Sequence, residues 1–239
     1  MRKIILCCAG LFCVSGSALF GAACVPGTLQ DYIDLGSTGC SRGSTTFSAF
    51  NTVPGQSFAT ELLPSAITVT PGGGLYAPTL LFTLNKDAAA GELFESIFRL
   101  SITGTVTGAS VALNSPSATG DGVVTGILDV CAGGSFAGNS PSGCAGMAAT
   151  ALAAATAGGP NQLSDSASFP ASSFFDVFVD LSVDGGLDGS ATLTSATLGV
   201  SSVPEPSTIY LLAAGVSALG VIRLRRKSLM STGRNKCSS

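Results

Sequence analysis

Phe174-Phe175-Asp176-Val177-Phe178-Val179-Asp180-Leu181-Ser182-Val183-Asp184 decides the fold. Phe175, Val177, Val179, Leu181 and Val183 alternate with Asp176, Phe178, Asp180, Ser182 and Asp184, the period of two that a half-buried β-strand requires. One face is expected in the core and the other on a mostly acidic surface. Asp184-Gly185-Gly186-Leu187-Asp188-Gly189 then supplies a turn. Ser190 to Val200 reads as a returning strand whose apolar phase slips between Leu193 and Leu198, as a β-bulge would cause. The pair predicts a C-terminal hairpin.

Working outward, further strands are predicted over Thr45–Asn51, Ala66–Thr70, Leu80–Asn85, Glu95–Thr103, Ser110–Asn114 and Val123–Val130. Thr28–Leu35 predicts a turn or two of helix. Ala145–Ala157 is rich in alanine, but its flanking glycines and β-rich neighbours favour an irregular strand or loop. Short strands separated by Gly, Pro, Asn and Ser clusters predict an all-β domain, an antiparallel β-sandwich, with a partly open barrel as the alternative. The chain of 239 residues leaves roughly 180 for that core once its two apolar ends are set aside.

Charge sorts the chain into compartments. From Cys24 to Ser202 three bases, Arg42, Lys86 and Arg99, stand against thirteen acids, a net charge of −10. An acidic surface repels phosphate backbones, which argues against nucleic acid as a partner. The other bases flank apolar runs. Arg2 and Lys3 precede the run Ile4–Phe20, and Gly21-Ala22-Ala23 offers small residues at −3 and −1 of a cleavage site. Residues 1–23 are therefore expected to be a signal peptide read by the Sec machinery and signal peptidase. Cleavage would leave Cys24 first. Lipidation there is disfavoured because Gly21 stands where a lipobox has Leu.

The other end reads as Val203-Pro204-Glu205-Pro206-Ser207, an apolar run Thr208–Ile222, and the cluster Arg223-Leu224-Arg225-Arg226-Lys227. Two prolines around one residue end the folded domain and set an extended spacer, after which Ser207 can cap a helix. That helix is about 22 Å long, a marginal span of a roughly 30 Å hydrocarbon core. The basic clusters at both ends belong on the cytoplasmic side, so residues 24–202 are expected to be translocated. Residues 228–239 would form a cytoplasmic tail.

This order of a Pro-Glu-Pro element, an apolar helix and a basic stop cluster resembles the PEP-CTERM sorting signal of Gram-negative bacteria. The resemblance covers only the last 25 to 35 residues, the motif residues being Val203, Pro204, Glu205, Pro206 and Ser207 and the stop cluster Arg223, Arg225, Arg226 and Lys227. It implies a membrane-held precursor processed by an exosortase near the Pro-Glu-Pro element, with the mature domain released or attached at the cell surface, often beside exopolysaccharide. A plain membrane anchor behind a proline linker is the simpler alternative.

Cysteine usage fits that address. The exported part keeps Cys24, Cys40, Cys131 and Cys144, an even number in an oxidising compartment. Sequence proximity favours Cys24–Cys40 and Cys131–Cys144 among three connectivities. Zinc is disfavoured, since no CxxC pair and no histidine occur.

The lack of histidine also removes Ser-His-Asp and Cys-His catalysis. Asp176, Asp180 and Asp184 share one strand face, but a four-residue step is about 13 Å, wider than the roughly 5 to 9.5 Å that glycosidic chemistry uses. Only a pair across strands would serve. Asp184 and Asp188 on their glycine turn have the composition of a calcium loop without the spacing of an EF-hand, and a plain turn is preferred. Gly72-Gly73-Gly74 and Gly133-Gly134 lack the context of a phosphate cradle. The expectation is a non-enzymatic surface or matrix protein without cofactor, whose partners are the exosortase and exopolysaccharide or matrix proteins. The alternatives are a His-free glycan hydrolase and a carbohydrate- or calcium-binding adhesin module.

Overall fold

The computed structural model describes residues 22–55 and 57–203, together with Gly215 and Ser217. In chain order its elements are β1 (Gly27–Thr28), α1 (Leu29–Asp34), β2 (Cys40–Arg42), β3 (Thr45–Val53), β4 (Thr60–Glu61), a 3-10 turn at Pro64–Ala66, β5 (Thr68–Gly74), β6 (Ala77–Ala88), β7 (Leu93–Thr119), β8 (Val123–Ala132), β9 (Met147–Thr156), β10 (Ser164–Asp184) and β11 (Ser190–Ser202). The helix starts where chemistry permits. Thr28 accepts a hydrogen bond from the Asp31 amide while the Asp31 carboxylate takes the Thr28 amide, a reciprocal capping box.

The strands form one eleven-stranded sheet, almost wholly antiparallel and not closed into a barrel. It becomes a sandwich by folding over. The first stretch of β7 (93–103) pairs with the end of β10 (174–184) and with β3, while its second stretch (106–119) pairs with β11 and with the start of β10. Two long strands thus cross a common crease. Gly104 makes the bend in β7 at φ 137°, where a Cβ would lie 2.8 Å from the Ser44 carbonyl. β10 absorbs its own bend through register shifts between Ser168 and Phe174.

One layer is then β3, β7, β10, β8 and β9, and the other is β5, β6, β11, β7 and β10. Their inner faces meet in a single core. Phe82 of the second layer packs on Phe98 of the first with ring centroids 4.8 Å apart. Gly126 of β8 leaves room for Leu113 and Val111 opposite, whose methyls lie 3.0 and 3.1 Å from where its Cβ would be.

Several expectations change against this architecture. Glu95–Thr103 and Ser110–Asn114 are parts of one strand, because Gly104 bends the backbone without breaking its pairing. Ala145–Ala157 is a regular edge strand whose small residues Ala151, Ala153 and Ala155 face the core. Phe174–Asp184 and Ser190–Val200 do not form a hairpin: the former pairs with β7 and β8, the latter with β6 and β7. Their turn crosses from one layer to the other at the sandwich edge. The bulge in the last strand does occur, between Leu193 and Ser195.

Residues 1–21 of the expected signal peptide, and the run 208–222 and the basic cluster 223–227 apart from Gly215 and Ser217, lie outside the described residues. Among the described residues no helix is long and apolar enough to cross a membrane.

Candidate functional site

The sorting segment leaves the domain at a built position. Ser202, the last residue of β11, donates its amide to the Tyr76 carbonyl, and Val203 donates to Thr105 beside the Gly104 bend, both at 2.8 Å. Val203 is the last described residue before the prolines. Pro204, Glu205, Pro206 and Ser207, like Arg223, Arg225, Arg226 and Lys227, lie outside the described residues.

The N-terminal exit lies beside it. Ala22 accepts from Ser41 at 2.8 Å and Cys24 donates to the Ser41 carbonyl at 3.1 Å. Ala23, Arg42, Gly43 and Leu75 line one cleft, and Gly43 abuts the Leu75 carbonyl so closely that a Cβ would sit 2.5 Å from it. Both ends therefore emerge at the crease pole of the sandwich, around the Leu75–Tyr76 turn.

Two disulfides are present, Cys24–Cys40 and Cys131–Cys144, with Cα separations of 4.8 and 5.5 Å. The first uses the Cys24 sulfur, so that sulfur has no thiol left for a lipid thioether in this state. The second ties the loop 133–146 over the outer face of the first layer.

That outer face differs from the acidic surface expected from alternation. Asp176 is 1% exposed and Phe178 2% exposed, both beneath the loop. Asp176 accepts from Arg99 through Nε and a second guanidinium nitrogen and from the Phe136 amide, while Arg99 also donates to the Phe136 and Gly138 carbonyls. Phe136 packs edge-on to Phe178 at 5.2 Å, and the Arg99 guanidinium lies 5.5 Å from the Phe178 ring. Arg99 thus fastens the loop to the sheet. Sequence reasoning passed over Arg99 and Phe136. The legible hints were a phenylalanine amid the aspartates and a cysteine-closed loop following that strand's neighbour.

Further along the same face, Asp180 lies opposite Ile97 and Ile127, which places Glu95 and Asp129 on its two diagonals. Desolvation first, then the charges of Glu95 and Asp129, push the Asp180 carboxyl up to about 6. Its Oδ1 is buried without a hydrogen-bond partner, and Thr150 donates to Asp129 at 2.6 Å. Carboxylates are thus brought together across strands, although not the trio Asp176, Asp180 and Asp184 that shares one strand. Glu95 is 1% exposed and roofed by Gly55, where a Cβ would lie 2.1 Å from its Oε2.

At the pole opposite the chain exits, Asp121 holds the turn. It accepts from the Leu187 amide at 2.8 Å and the Asp188 amide at 3.0 Å, bonds that hold its carboxyl below the usual range. Asp184 accepts from Gly186 at 2.8 Å. Asp184 and Asp188 thus belong to a turn closed by backbone amides, and among the described residues no group of three or more Cys, Asp or Glu is placed to hold a metal ion. Phe58 and Leu187 stand exposed beside it, lining a shallow cleft of about 430 Å³ with Glu92 and Asp184.

Comparison with known proteins adds one decisive observation: the family model for the PEP-CTERM protein-sorting motif matches residues 202–227. The chain carries a PEP-CTERM sorting motif. The match begins at Ser202, where the sandwich ends, and contains both prolines and the whole basic cluster. A chain with the PEP-CTERM motif is exported, anchored in a membrane and then processed by an exosortase-type membrane enzyme. No curated protein matches over the chain. Two solved structures overlap it in part. TmCBM61, solved with β-1,4-galactotriose, is 15% identical over 56% of this chain and 81% of its own, at a TM-score of 0.24. The enzymatically active domain of tailspike protein 4 of bacteriophage CBA120 is 9% identical over 66% of this chain and 19% of its own, at a TM-score of 0.23.

Proposed function

We propose that the mature domain is a non-enzymatic surface or extracellular-matrix protein, a disulfide-stapled β-sandwich delivered to the cell exterior through its PEP-CTERM tail. The observation that carries this reading is the seam at Ser202–Val203. The family match starts on the last residue of the last strand, so removal of the tail near Pro204-Glu205-Pro206 costs the core no strand. Among the described residues the main core runs from Leu29 to Val200, ahead of the motif.

Two further features support the reading. Staples closing loops of 16 and 13 residues suit a domain that must persist outside the cell, each contributing about 3 kcal/mol by the loop-entropy argument. Of the carboxylates that meet across strands, which a His-free hydrolase would need, Glu95 is buried beneath Gly55. Exopolysaccharide or neighbouring matrix proteins are the expected surroundings.

Intact-mass analysis of the protein from the culture supernatant and outer surface of its host, before and after reduction, tests this. The expected mass lacks residues 1–23 and everything beyond the Pro-Glu-Pro element, and rises by four hydrogens on reduction. A mass that still includes Arg223–Lys227, recovered with the inner membrane, would mark a simply anchored envelope protein instead.

A further inference from the structure

We propose that the crease pole, led by Leu75, Tyr76 and Val203, seats against the lipid headgroup region of the bilayer that holds the tail. This rests on the reading of 208–222 as a membrane segment.

The chain's own length sets the geometry. From Val203 to Thr208 the fully extended backbone reaches at most about 17 Å, so the apolar run must enter the bilayer within that distance of the pole. At the other terminus Ala22, fixed on Ser41, stands two residues from the end of the apolar run at Phe20. Before processing, both membrane-seeking segments leave the same pole.

The surface of that pole matches a lipid interface. Leu75 is 64%, Tyr76 48% and Val203 39% exposed, and the hydrogen bond from Ser202 to Tyr76 makes the three neighbours. Val25, also exposed, lines the adjoining cleft with Ala22 and Ala23. A tyrosine with an apolar ring and a wet hydroxyl, beside leucine and valine, is the composition that partitions into the headgroup boundary.

Charge orients the molecule the same way. The segments 71–79, 103–107 and 201–203 contain no acid, and Arg42 donates to Gly73 at 2.8 Å; the acids on this side are Asp31, which lines the adjoining cleft, and Glu205, two residues past Val203. Glu92, Asp121, Asp184 and Asp188 gather at the opposite pole. An anionic membrane surface therefore repels the far pole, and the acid-free segments around Leu75 and Tyr76 are the part of the near pole that can approach it.

The chain contains no tryptophan, so one introduced indole reports one place. The test uses full-length precursor in phosphatidylcholine–phosphatidylglycerol vesicles with brominated acyl chains, comparing Tyr76→Trp with Leu187→Trp at the far pole. Both positions are exposed, and unreduced mass verifies the disulfides. The expected result is a blue-shifted Tyr76→Trp emission quenched about twofold by bromolipid, with the Leu187→Trp emission unchanged. Precursor that does not float with the vesicles overturns the membrane reading of the tail and the docking with it. Precursor that floats while both indoles remain unquenched overturns the docking alone. An indole unquenched in vesicles but shielded from aqueous acrylamide in host membranes overturns the lipid assignment in favour of a protein partner.

Discussion

Asp180 is held in a folded state that disfavours its charge. Its carboxyl titrates near 6 in the native protein, above an unfolded value near 4, so the native state binds the extra proton between those limits. The stability associated with the neutral form is present below pH 4 and lost as pH rises through 6. Asp180→Asn should therefore stabilise the mature protein at pH 7.5 by about 1 kcal/mol, after allowance for the partial exposure of the site. The gain should shrink toward zero by about pH 4. Paired melts of variant and parent from pH 4 to 8 check it, and a constant difference would refute the assignment. Asp176, four residues earlier on the same strand, differs in its hydrogen bonding, since Arg99 and the Phe136 amide both donate to it. Alternation placed both aspartates on the outer face and was right about that. It could not show that a loop forty residues earlier in the chain covers Asp176, because period two reports only which side of the sheet a residue occupies.

Elements were legible where local pattern governs and obscure where tertiary geometry does. The short helix over Thr28–Leu35 and the slipped phase after Leu193 are written in neighbouring residues and appear as read. The crease is not, since Gly104 inside an alternating run reads equally as a break between strands. The same blindness produced the expected hairpin: adjacency in sequence says nothing about which layer receives the next strand. Gly104 offers the sharpest test at this scale. A side chain there meets both the positive φ and the Ser44 carbonyl, so Gly104→Val should cost about 3 kcal/mol and lower Tm by roughly 10 °C. Calorimetry of the oxidised protein checks it. A variant that melts with its parent would show that the bend does not depend on glycine.

For the molecule as a whole, both exits lie at one pole while Glu92, Asp121, Asp184 and Asp188 gather at the other, so address and shape are linked. The tail's chemistry was readable because sorting signals are linear, with order and spacing as their content. The carboxylate neighbourhood of Asp180 was not, because Glu95 and Asp129 reach it through β7 and β8 registers that only the folded sheet sets. The N-terminal exit has a consequence in time. The bond between Ala23 and Cys24 lies inside a backbone bridge to Ser41, with Cys24 locked to Cys40 one residue further on. A protease needs that bond extended and free, so a cut there must come before β2 closes on it; folding and maturation are competitors. Precursor that has already oxidised and folded should resist purified signal peptidase and become cleavable after reduction and unfolding. A peptidase slower than the oxidation that follows translocation would thus leave the chain uncut, shut by its own first disulfide.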